Sequence, residues 1–504
     1  MQALLGIDIG TSGCKALLID TQGAVIAADT ATYPLSQPRP GWTEQDPALW
    51  VDGARQAVAA ALARAPQVEL LAIGLSGQMH GLTPLDRDGQ VLRPAILWND
   101  QRNAAECAEL TRMAGGLDGL LAATNNRMLV GYTGGKILWM RRHEPDLFAR
   151  MTVMLNPKDY LRLRLTGEIA TEVSDASGTG LFDVRGRRWA TALAERVGID
   201  PALLPPVHES HVVSGRISQA GAGLFGLPKG VPVVGGGGDS VIQTIGSGVI
   251  APGDLQTTIG TAGILAAALD TPRDNPDGRL QVFCNVAPDK WHCMGVSLNA
   301  GGAMGWFRDT VCAGQGAAMA FDQITAEAAT SPPGARGLLF LPYLNGERCP
   351  HPDPQARGAF VGLTARHTRA DMARAVMEGV VHAFADMHTL MQPMGISGKV
   401  IKASGGGARS QLWRQIQADM FGCDVVTTEG AAEGAAFGAA LVAGVGVGVW
   451  SDAPAAAAVC RDLTRDRADP SNAQVYGRAG CIYRELYPAL SAGFAALGDQ
   501  IFDR

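Results

Sequence analysis

The apolar run at residues 231–234 ends in four consecutive glycines, 235–238, and then in Asp239. Glycine strips side chains from places where backbone must come close to a ligand, so this carboxylate is expected at the mouth of a bare cleft. There it can take the proton of a hydroxyl nucleophile, as phosphoryl transfer to an alcohol requires. Asp also caps helices, and a helix starting near Val241 would use Asp239 that way. The two roles are compatible, because a capped helix end aims the carboxylate. A second acid, Asp8, is flanked by Ile7 and Ile9 near the start of the chain. A carboxylate in an apolar strand is costly unless it meets a cation or hydrogen-bond donors. Mg²⁺ carried in by a nucleotide would satisfy it, since that ion takes one or two carboxylates and keeps its waters. Structural hydrogen bonding is the alternative.

The string Ile-Gly-Thr-x-Gly occurs twice, at residues 9–13 and 259–263. Each copy lies between apolar runs, which reads as strand, tight turn, strand. Glycine tolerates positive φ and close approach, while Thr and Ser add hydroxyls beside the freed N–H groups, so such a turn can grip a phosphate. Two grips in two halves suggest a duplicated module closing on one polyphosphate. A third glycine run, SGGGA at 404–408, precedes a helix carrying Leu412, Trp413, Ile416 and Met420. It offers bare backbone to a flat base, although glycine runs also end strands for packing reasons. Neither glycine run, 235–238 or 405–407, is a GxGxxG fingerprint, and the chain has no Walker GxxxxGK[ST] pattern.

Strand-like and helix-like segments alternate along the chain, which gives an α/β class. ALLGIDI, KALLID and GAVIAADT are three consecutive strand candidates, followed by a helix with Asp46 as N-cap and Pro47 at its first position. VELLAIGLSG and VPVVGGGG read as later strands, and QTTIG, VIKASGGG and the Ala/Gly-rich helix after Glu433 repeat the style. The stretch at 245–252 has the small-residue, Pro-containing character of a boundary, so the expected domains are 1–248 and 249–504.

At 504 residues, 47% hydrophobic and 18% charged, the chain can bury a full core in each half. A net charge of -6 advertises no nucleic-acid surface. Nine cysteines without a CxxC pair read as reduced thiols, which with the unbasic start MQALLGIDIG predicts a cytoplasmic location. The longest uncharged apolar stretch, residues 434–450, is 17 residues with five glycines, too short for a membrane span and closer to a buried helix running into a turn.

Two long strings, GYTGGKILWMRRH at 131–143 and GAFVGLTARHTRADMARAVME at 358–378, are similar to signatures of the FGGY family of carbohydrate kinases. The resemblance runs from about Leu5 to the region of Trp450. It implies two ribonuclease H-like, actin-like ATPase domains related by duplication, with an interlobe cleft. The string GLSGQMHG at 74–81 resembles the segment that holds the sugar in members acting on D-xylulose. Position by position, the resemblance implies Asp239 as general base and Asp8 near Mg²⁺. Met79, His80, Asp239 and Ser240 would hold the sugar. Thr11, Ser12, Gly13, Gly260 and Thr261 would grip the phosphates of ATP, and Gly405, Gly406, Gly407 and Ala408 would form the adenosine shelf. In FLPYLNGERCPH at 340–351, Glu347 and Arg348 are expected to pair with each other. Asp100 and Arg102 are read as sugar contacts or as an ordinary surface pair.

The expected function is ATP- and Mg²⁺-dependent phosphorylation of a pentulose, D-xylulose first. Ser240 stands where these relatives often carry Asn, which admits another ketose or polyol such as ribulose, a tetritol or glycerol. A catalytically silent sugar sensor on the same fold is disfavoured by the retained Asp8, Asp239 and both phosphate turns. An actin-like polymerising ATPase is disfavoured by QMHG. Expected partners are a small-molecule sugar and ATP, with no nucleic acid and no membrane; a homodimer is compatible with the resemblance.

Overall fold

Apolar runs bounded by glycine turns build two seven-stranded sheets. The computed structural model describes residues 1–312 and 319–502. The first sheet contains β1 (Gln2–Ile9), β2 (Gly13–Asp20), β3 (Val25–Thr32), β4 (Glu69–Gly77), β5 (Val213–Arg216), β6 (Pro232–Val234) and β7 (Gly237–Gly238). Its order is β5-β6-β4-β1-β2-β3, with β7 also beside β4. The second contains β8 (Asp254–Ile259), β9 (Gly263–Leu269), β10 (Gln281–Cys284), β11 (Trp291–Ser297), β12 (Val400–Ser404), β13 (Asp424–Thr428) and β14 (Asp462–Asp466), in the order β10-β11-β9-β8-β12-β13-β14.

The two sheets repeat one plan. In the first, β1 pairs antiparallel with β2 and parallel with β4, which runs parallel to β6; β5 then closes the edge antiparallel. In the second, β8 pairs antiparallel with β9 and parallel with β12, which runs parallel to β13, and β14 closes the edge antiparallel. Both Ile-Gly-Thr-x-Gly strings are the turns of the corresponding hairpins, β1–β2 and β8–β9. Their glycines do not adopt positive φ, contrary to the expectation. The second glycine of each turn is small because of crowding: a Cβ on Gly13 would lie 2.8 Å from the Ala31 carbonyl oxygen, and one on Gly263 2.7 Å from the Phe384 ring.

Ten helices matter to the cleft or to the packing behind it: α1 (Pro47–Arg64), α2 (Thr133–His143), α3 (Pro157–Thr166), α4 (Val173–Ser177), α5 (Asp239–Gly246), α6 (Gly301–Thr310), α7 (Arg369–Met391), α8 (Gln411–Phe421), α9 (Ala435–Gly446) and α10 (Pro470–Phe502). The Asp46 carboxylate accepts from the Ala48 N–H at 2.9 Å and caps α1. With α3, α1 covers one face of the first sheet, where Trp50, Val58, Ile73 and Leu161 are fully buried. The Ala/Gly-rich α9 covers the other face although it comes from the second half of the chain. A Cβ on Gly6 or Gly74 would lie 1.9 or 1.8 Å from the carbonyl oxygens of Ala436 and Ala439, so glycine on the strands lets the helix lie flush. Gly438 sits equally close over Ile242 of α5, and these two helices join the halves through one shared core. Among the described residues no helix is long and apolar enough to cross a membrane, and the nine cysteines are free.

Candidate active site

Asp8, Ser76 and Gly237 lie abreast on three strands, β1, β4 and β7, in parallel register. They stand at the carboxyl ends of those strands, the edge where open α/β sheets bind ligands. The Ser76 hydroxyl donates to the Asp8 carboxylate at 2.7 Å. Burial raises the Asp8 pKa, opposed by that hydrogen bond and by the charge of Lys15 on β2. Lys15 itself pairs with Glu433 at 2.6 Å, across to the second half of the chain.

Asp239 is the first residue of α5 and Gly238 is its N-cap, so the capping alternative is corrected by one position. Its carboxylate accepts from the Ser240 N–H at 2.6 Å. Burial first, and the charge of Asp8 second, push its pKa up to about 7, against the pull of the Ser240 N–H. A carboxylate poised there is half ionised near neutrality, the condition that suits a general base. The two carboxylates fit a divalent cation held mainly by water and phosphate, because burial disfavours the charge on both, Asp8 adds to this at Asp239, and a positive charge relieves it.

The four glycines before Asp239 serve packing within the protein. A Cβ on Gly236, which has φ +75°, would lie 1.9 Å from the Leu75 carbonyl oxygen, and one on Gly238 2.5 Å from Met79. The strand is held from behind. Arg162 of α3 donates to the Gly235 carbonyl at 2.7 Å, and the Gly238 N–H donates to the Ser174 hydroxyl at 3.0 Å. That hydroxyl donates in turn to Glu172 at 2.8 Å. Lys158, Asp159, Glu172 and Asp175 complete a fully buried charge cluster. It fixes the backbone from which the Asp239 carboxylate projects.

His80 follows β4 with φ +70°. Its ring Nδ1 is 2.6 Å from the Gly178 carbonyl oxygen, and the ring stacks on Tyr132 at 4.7 Å. A carbonyl only accepts, so Nδ1 carries the proton. Burial lowers the His80 pKa to about 3, which leaves Nε2 an unprotonated acceptor. Lys136, within the first signature string, donates to the carbonyls of His80 at 2.8 Å and Gly131 at 2.6 Å. Burial lowers its own pKa to about 7.

Asp8, Met79, His80, Asp239 and Ser240 converge on one pocket of about 360 Å³, which is also lined by Tyr132, Gln281 and Arg348. Gly260, Thr261, Gly406 and Gly407 converge on a second, of about 680 Å³, with Gly301, Arg308 and Trp413. The turn at 259–263 is the wall between them: Gly260 and Thr261 face the larger space and Ala262 the smaller. The Gly301 N–H at the start of α6 donates to the Gly260 carbonyl at 2.7 Å and braces that wall.

Other expected site residues lie apart from both pockets. Gly405, with φ +77°, packs against the Ile259 carbonyl, and Ala408 is buried, so both lie behind Gly406 and Gly407, which line the larger pocket. In the first turn Ser12 is exposed. The Thr11 hydroxyl donates to Gln78 at 3.3 Å and accepts from the Trp98 indole at 3.0 Å, and Gly13 packs on the Ala31 carbonyl.

Two pairings differ from expectation. Asp100 and Arg102 form a fully buried ion pair at 2.7 Å, with the guanidinium 3.7 Å over the Trp42 ring, and are neither sugar contacts nor a surface pair. Glu347 does not pair with Arg348. Its carboxylate accepts from the Ser297 hydroxyl at 2.6 Å and from the N–H groups of Leu298 at 2.9 Å and Arg348 at 2.6 Å. The Arg348 side chain turns instead to the smaller pocket. The sequence reading also missed Lys136, Tyr132 and Gln281. A lysine inside an apolar helix was a visible signal for the first; the other two carry none.

Residues 3–246 match the model of the N-terminal domain of the FGGY family of carbohydrate kinases, and residues 255–447 match the C-terminal domain. A xylulose kinase of Escherichia coli K12 is 39% identical over 418 residues, covering 83% of this chain and 84% of the relative. One of Bacillus subtilis 168 is 38% identical over 431 residues, 85% of each chain. The solved xylulose kinase of Rhodospirillum rubrum superposes with a TM-score of 0.91 at 33% identity, covering 98% of this chain and all of the other.

Proposed function

The chain belongs to the FGGY family of carbohydrate kinases, and from that premise we propose that it transfers the γ-phosphoryl group of ATP to the C5 hydroxyl of D-xylulose. The observation that carries this reading is the position of Asp239. It is a carboxylate raised to about 7, in a pocket separated from a larger one by a single glycine-rich turn. In this reading the Asp239 carboxylate accepts the C5 hydroxyl proton as that oxygen bonds to the γ-phosphorus. The bond from phosphorus to the bridging oxygen breaks, and ADP leaves with the electron pair. Met79, His80 and Ser240 orient the sugar, with Nε2 of His80 accepting from one of its hydroxyls. Gly260 and Thr261 face Thr11, Ser12 and Gly13 across the phosphates as the lobes close, and Gly405, Gly406, Gly407 and Ala408 form the adenosine shelf. Mg²⁺ near Asp8 supplies charge neutralisation on the phosphates when bound. The lobes divide between residues 248 and 249, in the connection from α5 to β8.

A kinase for another ketose or a polyol is the second reading. It is favoured by Ser240, whose hydroxyl points 2.9 Å from the Met79 sulfur and is shorter than an amide. ADP release coupled to a visible readout, measured across pentuloses, tetritols, glycerol and hexuloses, separates the two. The proposal expects D-xylulose to give the highest kcat/KM; a polyol preferred by tenfold or more, on the order of 1.4 kcal/mol, contradicts it.

A further inference from the structure

Among the described residues Arg348 is the one cation lining the smaller pocket. Its backbone is fixed, because its N–H donates to Glu347, whose oxygens are taken up by Ser297, Leu298 and Arg348 itself. Its guanidinium has no hydrogen bond or ion pair to any described residue. Tyr132 and Glu347 are near enough to act on its charge, but a half-buried guanidinium with five donors and no acceptor at hydrogen-bond distance is costly to hold empty. The charge is felt by His80 and Tyr132, while Asp239 feels Asp8 instead. Arg348, Tyr132 and Gln281 also line an adjoining cavity of about 30 Å³ that Asp8, Asp239 and Ser240 do not reach, so Arg348 stands on the side of the pocket away from the base.

We infer that Arg348 binds the end of the sugar that does not react, its planar fork donating to the C2 keto oxygen and a neighbouring hydroxyl oxygen. The inference rests on the reading of the pocket as a sugar site with Asp239 at its reacting end. A guanidinium only donates, so it favours acceptor-rich groups, and a carboxylate matches its fork better than a ketone does. The chemical class that follows is an open five-carbon chain with a keto or carboxylate group at one end and a primary hydroxyl at the other. A C5 aldonic acid, D-xylonate, thus becomes a ligand of the same pocket, with its carboxylate on Arg348.

The test is titration calorimetry of D-xylonate into the full chain and into Arg348→Gln and Arg348→Lys. Wild type is expected to bind, Arg348→Gln to bind roughly 10- to 100-fold more weakly, and Arg348→Lys to fall between, since it keeps the charge but loses the fork. Binding of a non-hydrolysable ATP analogue, unchanged in all three, verifies that the variants are folded. No measurable D-xylonate binding to wild type, or equal binding to wild type and a folded Arg348→Gln, overturns the assignment. Turnover of D-xylulose by wild type tests the underlying reading separately. Arg348-dependent D-xylonate binding in a protein inert toward D-xylulose would refute that substrate and support the role of Arg348.

Discussion

At the scale of single residues, Asp239 sets the pH response. Its pKa stands at about 7 because burial and Asp8 disfavour the charge. A base must be ionised to work, so kcat/KM is expected to rise with pH up to about 7 and then level off. The folded state holds this proton more tightly than the unfolded chain, whose value is near the ordinary 3.8 of an aspartate. The contribution to stability is therefore fully present below about 4 and is lost as pH rises through about 7. Asp239→Asn removes that loss, so its thermal midpoint should gain on wild type between those pH values, as calorimetry would detect. A rate already level at pH 5 would contradict the base. His80 makes a separate prediction. Its neutral ring is placed by Gly178 and Tyr132, so His80→Ala should raise KM for the sugar at least tenfold and KM for ATP little; equal effects in steady-state kinetics would mark it as structural.

At the scale of elements, the hairpin turns and strand ends were legible because glycine, Thr and Asp have few other uses at such spacings. Both Ile-Gly-Thr-x-Gly turns, the Asp46-capped helix and the glycine-ended strands could be read from residue types alone. What those glycines do was less legible, since crowding by a distant carbonyl leaves no mark on the local string. The contrast is testable. Gly260 has open space, its Cβ coming no closer than 3.6 Å to another atom, whereas Gly236 has φ +75° and a Cβ 1.9 Å from backbone. Gly260→Val should spare stability but impair phosphoryl transfer, and Gly236→Ala should lower stability by about 2 kcal/mol or more. Denaturant unfolding beside turnover checks both; the reverse pattern would sink this account of the wall. Arg348 was misread because the neighbour in sequence, Glu347, does not tell which partner a long side chain meets in space; Arg102 does pair with Asp100, and what the string hid is that the pair is buried.

At the scale of the whole molecule, the repeated plan places one Ile-Gly-Thr-x-Gly turn in each half, and side-chain bonds tie the halves together. The Asn126 side chain hydrogen-bonds both the N–H and the carbonyl of Val282, at 2.9 and 2.7 Å, and the Cys284 N–H donates to Ser177 at 3.0 Å. These bonds occupy the free edge of β10, while α5 and α9 run through the shared core. Ser12 in the first turn is exposed, and closing on a nucleotide there would shift the nearby Lys15–Glu433 pair that also links the halves. Small-angle scattering should show compaction when D-xylulose and a non-hydrolysable ATP analogue are added together; an unchanged radius of gyration would count against closure. The central claim, that Asp239 is the base that activates the sugar hydroxyl, is tested most directly by phosphorus NMR of reactions containing ATP, Mg²⁺ and D-xylulose. Wild type is predicted to accumulate a C5 phosphomonoester, and Asp239→Asn, with ATP-analogue binding intact, to form it roughly 10² to 10⁴ times more slowly. Formation by Asp239→Asn within about threefold of the wild-type rate would contradict the account.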